Sequence, residues 1–231
     1  SDLDGLSNDV VSAAFEAASQ KMDKAESKKD KEKYENKYVF TPHRSSMYPF
    51  LTESKRRDLR EKLYKSYIMR GDNNNETDNK NITAEIAKLR AEKAKIMGYK
   101  THAHFVLEEN MLKSPEEVYD LLIQLWKPAV KRAEAEVVDM QAVADSEGQD
   151  FKIAAWDWWQ YSEKVRKEKY DLDESAIKPY MSLDNVIQGV FNTTNKLWGL
   201  SFREIFDIDL YHPDARVWEV VDKDGSHLAI F

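Results

Sequence analysis

One amphipathic segment, between Ser114 and Gly148, sets the strongest limit on how this chain can fold. It opens with Ser114-Pro115-Glu116-Glu117, in which the serine can cap free backbone N–H groups and the glutamate three residues later can close a capping box. The pattern predicts one long helix, kinked at Pro128 and ending near Gly148. Its apolar stripe consists of Val118, Leu121, Leu122, Leu125, Trp126, Ala129, Ala133, Val137 and Met140.

Residues that form turns are scarce in the whole chain. The 231 residues include only 7 glycines and 6 prolines, roughly half the usual share. A β-sandwich or barrel needs many turns, so this composition favours long helices. Apolar residues make up 42% of the chain, which is enough for a packed core. We therefore predict a mainly α, multi-helical fold.

Helical spacing and helix-boundary residues predict further helices. They are expected at 3–37, from Thr52 to Gly71, from Ile82 to Gly98, around His102 to Met111, from Trp156 to Tyr170 and from Ser182 to Gly199. Residues 38–42 are predicted to be extended and to lead into a turn-rich stretch up to Leu51. Residues 72–81 are predicted to form a polar loop.

The end of the chain changes from helical to β patterning. Arg216–Val221 alternates or runs apolar, Asp222–Gly225 has the composition of a turn, and His227–Phe231 resumes the strand pattern. This predicts a C-terminal β-hairpin or a partial small sheet. Because the pattern stops inside an apolar strand and the first residue is not methionine, we expect a piece of a longer polypeptide.

Charge and composition exclude several classes of function. The net charge of −7 argues against a strongly basic nucleic-acid surface. The charged run at 21–37 mixes both signs, which favours a solvated helix face over nucleic-acid or membrane binding. With no cysteine, the chain has no disulfide, thiolate metal site or cysteine nucleophile. No apolar run approaches ~18 residues, so we expect no membrane span.

Two histidine motifs are candidates for chemistry. His102 and His104 could share a metal on a strand, but on a helix residues two apart point about 200° apart. Since Lys100-Thr101 resembles a helix start, we interpret them as polar residues of a first helical turn. His212-Pro213-Asp214 could be a catalytic pair, but no serine lies in a G-x-S-x-G context. A turn before the hairpin is the favoured interpretation.

A tryptophan-rich segment, Trp156-Asp157-Trp158-Trp159, is a third candidate. It could be a stacking platform for ligands, because indole rings bind flat groups well. The favoured interpretation is a helix buried at a junction, with Asp157 as its N-cap.

Several segments, in this order and spacing, carry a family resemblance that covers nearly the whole chain except 28–52. They are Leu3–Leu6, Arg57–Tyr64 with Arg70, Leu89–Tyr99, Glu108, Met111, Ser114-Pro115, Val118, Ala155–Asp157, Tyr161, Lys169-Tyr170, Ile177–Tyr180, Val186, Gly189, Leu197–Phe202, Tyr211–Val217 and Asp224-Gly225. Together they resemble the thimet oligopeptidase family of zinc metallopeptidases, most closely its bacterial peptidyl-dipeptidase Dcp branch.

The resemblance implies a neurolysin/zincin-like fold of two helical lobes, with a deep channel between them that admits short peptides. In this family two histidines of H-E-x-x-H and a later glutamate hold zinc, and the glutamate inside the motif is the general base. The Dcp branch releases dipeptides from peptide C-termini. The implied function is therefore that of a peptidyl-dipeptidase or oligopeptidase.

The departure from the family concerns the metal site. None of the five histidines is followed by glutamate, and the family's zinc helix lies C-terminal to the hairpin. The resemblance thus implies zinc in a full-length parent, with no cofactor, metal ligand or catalytic residue in this chain, which we expect to be inactive alone. It marks as signature positions of structural character Arg57, Arg60, Arg90, Trp156, Asp157, Tyr161, Pro179, Tyr180, His212, Asp214 and Arg216.

The resemblance also suggests how the chain is organised and what it binds. Residues 1–150 are expected to belong to the N-terminal lobe, and 151–231 to a helical junction and hairpin that lead toward the zinc region. The expected partners are short peptides in the parent and no nucleic acid or membrane, with self-association through Trp158, Trp159 or the 228–231 strand. The cytoplasm and the periplasm both fit. The alternative function is a non-catalytic helical protein-interaction module.

Overall fold

The structure, a computed structural model, describes residues 1–171 and 174–231. It consists of two compact units, Ser1–Asp171 and Leu172–Phe231. Helices dominate, and a small antiparallel sheet lies near the C-terminus, which confirms the predicted fold class. The division at residue 150 refers to the lobes of a larger fold and stays a prediction.

The first unit is helical throughout its regular elements. Its elements are α1 Asn8–Asp23, α2 Lys28–Glu32, α3 Arg44–Glu53, α4 Arg57–Ile68, α5 Lys80–Ile96, α6 His102–Leu107, α7 Pro115–Ser146, a 3₁₀ turn Ala155–Asp157 and α8 Trp158–Tyr170. The second unit combines helices with the sheet. Its elements are α9 Glu174–Ile177, a 3₁₀ turn Lys178–Tyr180, α10 Leu183–Trp198, β1 Ser201–Ile205, β2 Val217–Val221 and β3 His227–Ile230.

The long helix α7 begins as its sequence predicts. Ser114 Oγ accepts a hydrogen bond from the Glu117 backbone N–H at 3.2 Å, and the Glu117 carboxylate accepts one from the Ser114 backbone N–H at 3.3 Å. This closes the capping box at both partners. The helix continues through Pro128 for 32 residues.

The segment before α4 differs from the prediction. The stretch up to Leu51, predicted to be rich in turns, contains helix α3, which forms despite Pro49 because Met47, Phe50 and Leu51 bury one face. The next helix starts at Arg57 rather than near Thr52, since Ser54 is extended and fully buried. The single helix predicted at 3–37 is likewise interrupted between α1 and α2.

The core of the first unit lies where α7 meets α8. Met140 and Ala144 of α7 and Tyr161 of α8 are buried together. The partly buried apolar residues around them are Val137, Val143, Phe151, Ile153, Trp158 and Val165. The apolar stripe of α7 is therefore covered in its C-terminal half, whereas Leu125 and Trp126 nearer its start are exposed.

The sheet of the second unit has the order β1-β2-β3 with antiparallel pairing throughout. Phe202 lies opposite Val220, and Val220 lies opposite Ala229, with an irregularity between Val220 and Val221. The β2–β3 hairpin confirms the predicted one, and β1 is an additional strand. An aromatic cluster joins the sheet to α10, since Phe191 stacks on Phe202 with ring centroids 4.0 Å apart.

Candidate functional site

Five of the eleven signature residues meet inside the first unit. Arg57 and Arg60 lie on α4, Trp156 and Asp157 in the 3₁₀ turn, and Tyr161 on α8. The Asp157 side chain is fully buried, and Arg60 is 1% exposed. The two arginines are three residues apart and therefore point from one face of α4.

The Asp157 carboxylate is surrounded by donors. Arg57 donates from Nε at 3.1 Å and from a terminal nitrogen at 2.9 Å, and Arg60 donates at 2.7 Å. The Ala154 backbone N–H donates at 3.1 Å. One buried negative charge is thus matched by two guanidinium groups, as a buried carboxylate requires.

Every guanidinium nitrogen of Arg60 donates a hydrogen bond. It donates to the carbonyl of Ser54 at 2.7 Å and to that of Trp156 at 3.3 Å. Gln160 on α8 donates to the same Ser54 carbonyl at 2.7 Å. The cluster therefore connects the α3–α4 connection and α4 to the start of α8, which lies about a hundred residues later in the sequence.

Asp157 is the N-cap residue of α8, as predicted, but its side chain does not cap the helix. The residue occupies the position before α8, but its side chain makes no hydrogen bond to the first turn of that helix. Its oxygens face the two arginines and the Ala154 backbone instead. A bond between a carboxylate and a guanidinium group joins two opposite charges, whereas a capping bond joins the carboxylate to an uncharged N–H group, so the two arginines determine where the carboxylate points.

The neighbouring tryptophans pack against protein. Trp156 lies between Tyr64 at 6.4 Å and the Lys65 ammonium at 5.2 Å, and Trp159 stacks on Tyr48 at 5.4 Å. All three indoles of the segment are half-buried. This packing favours a structural role for the segment, and self-association through Trp158 or Trp159 stays a prediction.

The second unit brings Arg216 into a smaller ionic cluster. Its guanidinium binds Glu204 at 2.7 and 2.9 Å, approaches Asp184 at 3.4 Å and covers the ring of Trp218. The bonds from Arg216 hold the pKa of the Glu204 carboxyl below its ordinary value. The cluster links α10, β1 and β2 at the surface.

The remaining signature residues stay apart from these clusters. His212 accepts a hydrogen bond from the Asp214 backbone N–H at 3.2 Å, within an exposed turn of the β1–β2 connection. Pro179 and Tyr180 form the 3₁₀ turn before α10, and Arg90 lies exposed on α5. That these residues are structural signature positions of the family stays a prediction.

One cluster on the sheet is not indicated by any sequence pattern. The Glu219 carboxylate on β2 accepts a hydrogen bond from Arg203 on β1. It is also hydrogen-bonded to His227 Nδ1 on β3, at 3.0 Å. The His227 and Arg203 contacts lower the pKa of the Glu219 carboxyl. Only the strand register reveals this arrangement, because the three residues share no short sequence motif.

The described residues do not fit a zinc site. His102 and His104 lie on α6 with Thr101 as the N-cap, as predicted. Across residues 1–171 and 174–231, no three His, Asp or Glu side chains come close enough together to hold a metal ion. In the same part of the chain, no helix is both long and apolar enough to span a bilayer.

Comparison with known proteins places these features in a family. The sequence model of peptidase family M3 matches residues 50–231. This chain belongs to peptidase family M3. The assignment confirms the resemblance to the thimet oligopeptidase family, and members of family M3 are generally zinc-dependent.

Individual relatives in family M3 show the extent of the match. Dipeptidyl carboxypeptidase of Escherichia coli K12 is 36% identical over 230 residues, which are 99% of this chain and 32% of that protein. Oligopeptidase A of Salmonella typhimurium is 30% identical over 193 residues, 82% of this chain and 28% of that protein. The chain spans about a third of the length of the curated relatives it matches.

Proposed function

We propose that this chain is part of a zinc metallopeptidase that hydrolyses short peptides and releases dipeptides from their C-termini. The observation that carries the proposal is the 36% identity to dipeptidyl carboxypeptidase, which extends over 99% of the chain. The 30% identity to oligopeptidase A also supports a peptidase. The experiment must therefore distinguish the release of C-terminal dipeptides from cleavage inside the peptide.

Within that enzyme the chain would supply channel wall and framework. The buried Arg57–Arg60–Asp157 cluster supports this role, because it fixes distant segments and leaves no free acid or base. The signature residues would hold the framework, and zinc would be held by other parts of the polypeptide. The chain has no His-Glu-x-x-His sequence, and we propose that it is inactive alone.

Exposed apolar surfaces support the further proposal that the isolated chain self-associates. Trp126 on α7 is 66% exposed, and Leu228, Ile230 and Phe231 at the sheet edge are each more than half exposed. Apolar patches of this kind mark surfaces that contact other protein. Sedimentation velocity should show concentration-dependent oligomers, and a monomer at all concentrations would contradict the proposal.

The function is tested by reading the coding sequence beyond Phe231 and by assaying both polypeptides. A His-Glu-x-x-His motif should appear downstream. The longer polypeptide, incubated with an N-acetylated peptide and zinc, should release C-terminal dipeptides detected by mass spectrometry, and a chelator should stop the release. Internal cleavage products would favour an oligopeptidase. Chelator-sensitive cleavage by the 231-residue chain would refute the proposal that it is inactive alone. A downstream sequence without the His-Glu-x-x-His motif would refute the proposal that the longer polypeptide is a zinc metallopeptidase.

A further inference from the structure

A cleft in the first unit is separate from the Arg57–Arg60–Asp157 cluster. It has a volume of about 630 Å³ and lies between α4, residues 1–3, Phe50 of α3 and the extended residues near Tyr38. Cavities of about 300–1,000 Å³ with apolar walls and a few polar groups are the usual size and composition of small-molecule sites. Nothing in the proposed peptidase role uses this cleft.

The wall of the cleft is aromatic and aliphatic. Tyr38, Phe40 and Phe50 line it together with Leu59 and Leu63 of α4. Phe40 and Phe50 are in tilted contact, with ring centroids 4.5 Å apart. Ring edges and faces arranged in this way favour a further aromatic ring over a purely aliphatic chain.

Two lysines and one carboxylate line the cleft. Lys37 and Lys62 both line the cleft and, within the part of the chain that the structure describes, form no ion pair. Asp2 also lines the cleft, but its carboxylate is paired with Arg56, which also binds Asp58. An incoming anion would therefore meet two unpaired ammonium groups and one carboxylate, Asp2, which shares the Arg56 guanidinium with Asp58, so positive side chains outnumber negative ones in the lining.

We propose that this cleft binds a small aromatic carboxylate, with the ring among Phe40, Phe50 and Leu63 and the carboxylate toward Lys37 and Lys62. The aromatic wall supplies the burial, and the unpaired lysines supply the charge complementarity. The site lies wholly within the first unit, so it does not depend on the peptidase proposal.

The test uses two probes of nearly the same size and shape, the anionic 3-phenylpropionate and the uncharged 3-phenylpropanamide. Two-dimensional NMR of the 231-residue chain should show the carboxylate shifting the amide signals of Tyr38, Leu63 and Ser66, with a Kd on the order of 1 mM. The neutral amide should bind several-fold more weakly. Equal binding of both probes, or no shift with either, would overturn the proposal.

Three variants complete the experiment. Lys62→Gln should weaken carboxylate binding by about two- to fivefold and leave amide binding unchanged. Lys24→Gln, the same change at an exposed lysine outside the cleft, should alter neither. Ser66→Phe places a ring at the exposed rim and should abolish binding of both probes while the melting temperature is retained. If the two lysine variants weakened carboxylate binding equally, the binding would reflect general charge attraction. That result would overturn the proposed site.

Discussion

Replacing Asp157 by asparagine tests the central cluster of the first unit. The change keeps the size of the side chain but removes its charge and turns one acceptor oxygen into an NH₂ donor. That donor would face guanidinium groups that are themselves only donors. Arg60, 1% exposed, would keep a buried positive charge without its partner. Arg57 is about a third exposed and could turn to water.

Breaking a buried pair by removing one partner costs about 3–5 kcal/mol. For a unit of this size that corresponds to a fall in melting temperature on the order of 10 °C. Urea unfolding followed by circular dichroism measures the change. Asp139→Asn is the matched control, because Asp139 binds Lys169 at the surface and should leave the midpoint nearly unchanged.

A double-mutant cycle separates the pair from its surroundings. Combining Asp157→Asn with Arg60→Met removes both buried charges, so the double variant should be less destabilised than the sum of the two single variants by about 1–3 kcal/mol. Additive effects would refute the coupling. A cost of Asp157→Asn below about 0.5 kcal/mol would refute the view that this cluster holds the unit together.

Three further predictions follow from local contacts. Ser114→Ala removes the capping box of α7 and should lower the free energy of unfolding by about 1 kcal/mol, measured in urea. The bond from Lys80 lowers the pKa of Asp78 to about 2. The ionised Asp78 carboxylate should therefore stabilise the fold fully above pH 3.8, and this stabilisation should be lost as the pH falls toward 2. Carboxyl NMR titration measures the pKa of Asp78, which Lys80→Gln should raise. Replacing His227 by glutamine should raise the pKa of the Glu219 carboxyl toward 4.5 in the same measurement, and an unchanged pKa would contradict the cross-strand contact.

Signals within a few residues of each other could be read directly from the sequence. The Ser114 capping box starts α7 where predicted, and Ser182 and Gly199 bound α10, with Gly199 in the left-handed conformation at φ +78°. The turn at 222–225 places β2 beside β3. In each case the deciding hydrogen bonds join neighbours in the chain, so local chemistry is enough.

Tertiary packing decided the rest. The helix α3 forms because Met47, Phe50 and Leu51 are buried, and Asp157 turns to two arginines about a hundred residues earlier instead of capping α8. The cleft beside Tyr38 likewise combines separate segments. A sequence pattern reports which residues favour a helix or a turn, but the partner that a buried group meets depends on distant segments coming together. The free energy of those distant contacts exceeds local preference, which is why only the folded structure reveals them.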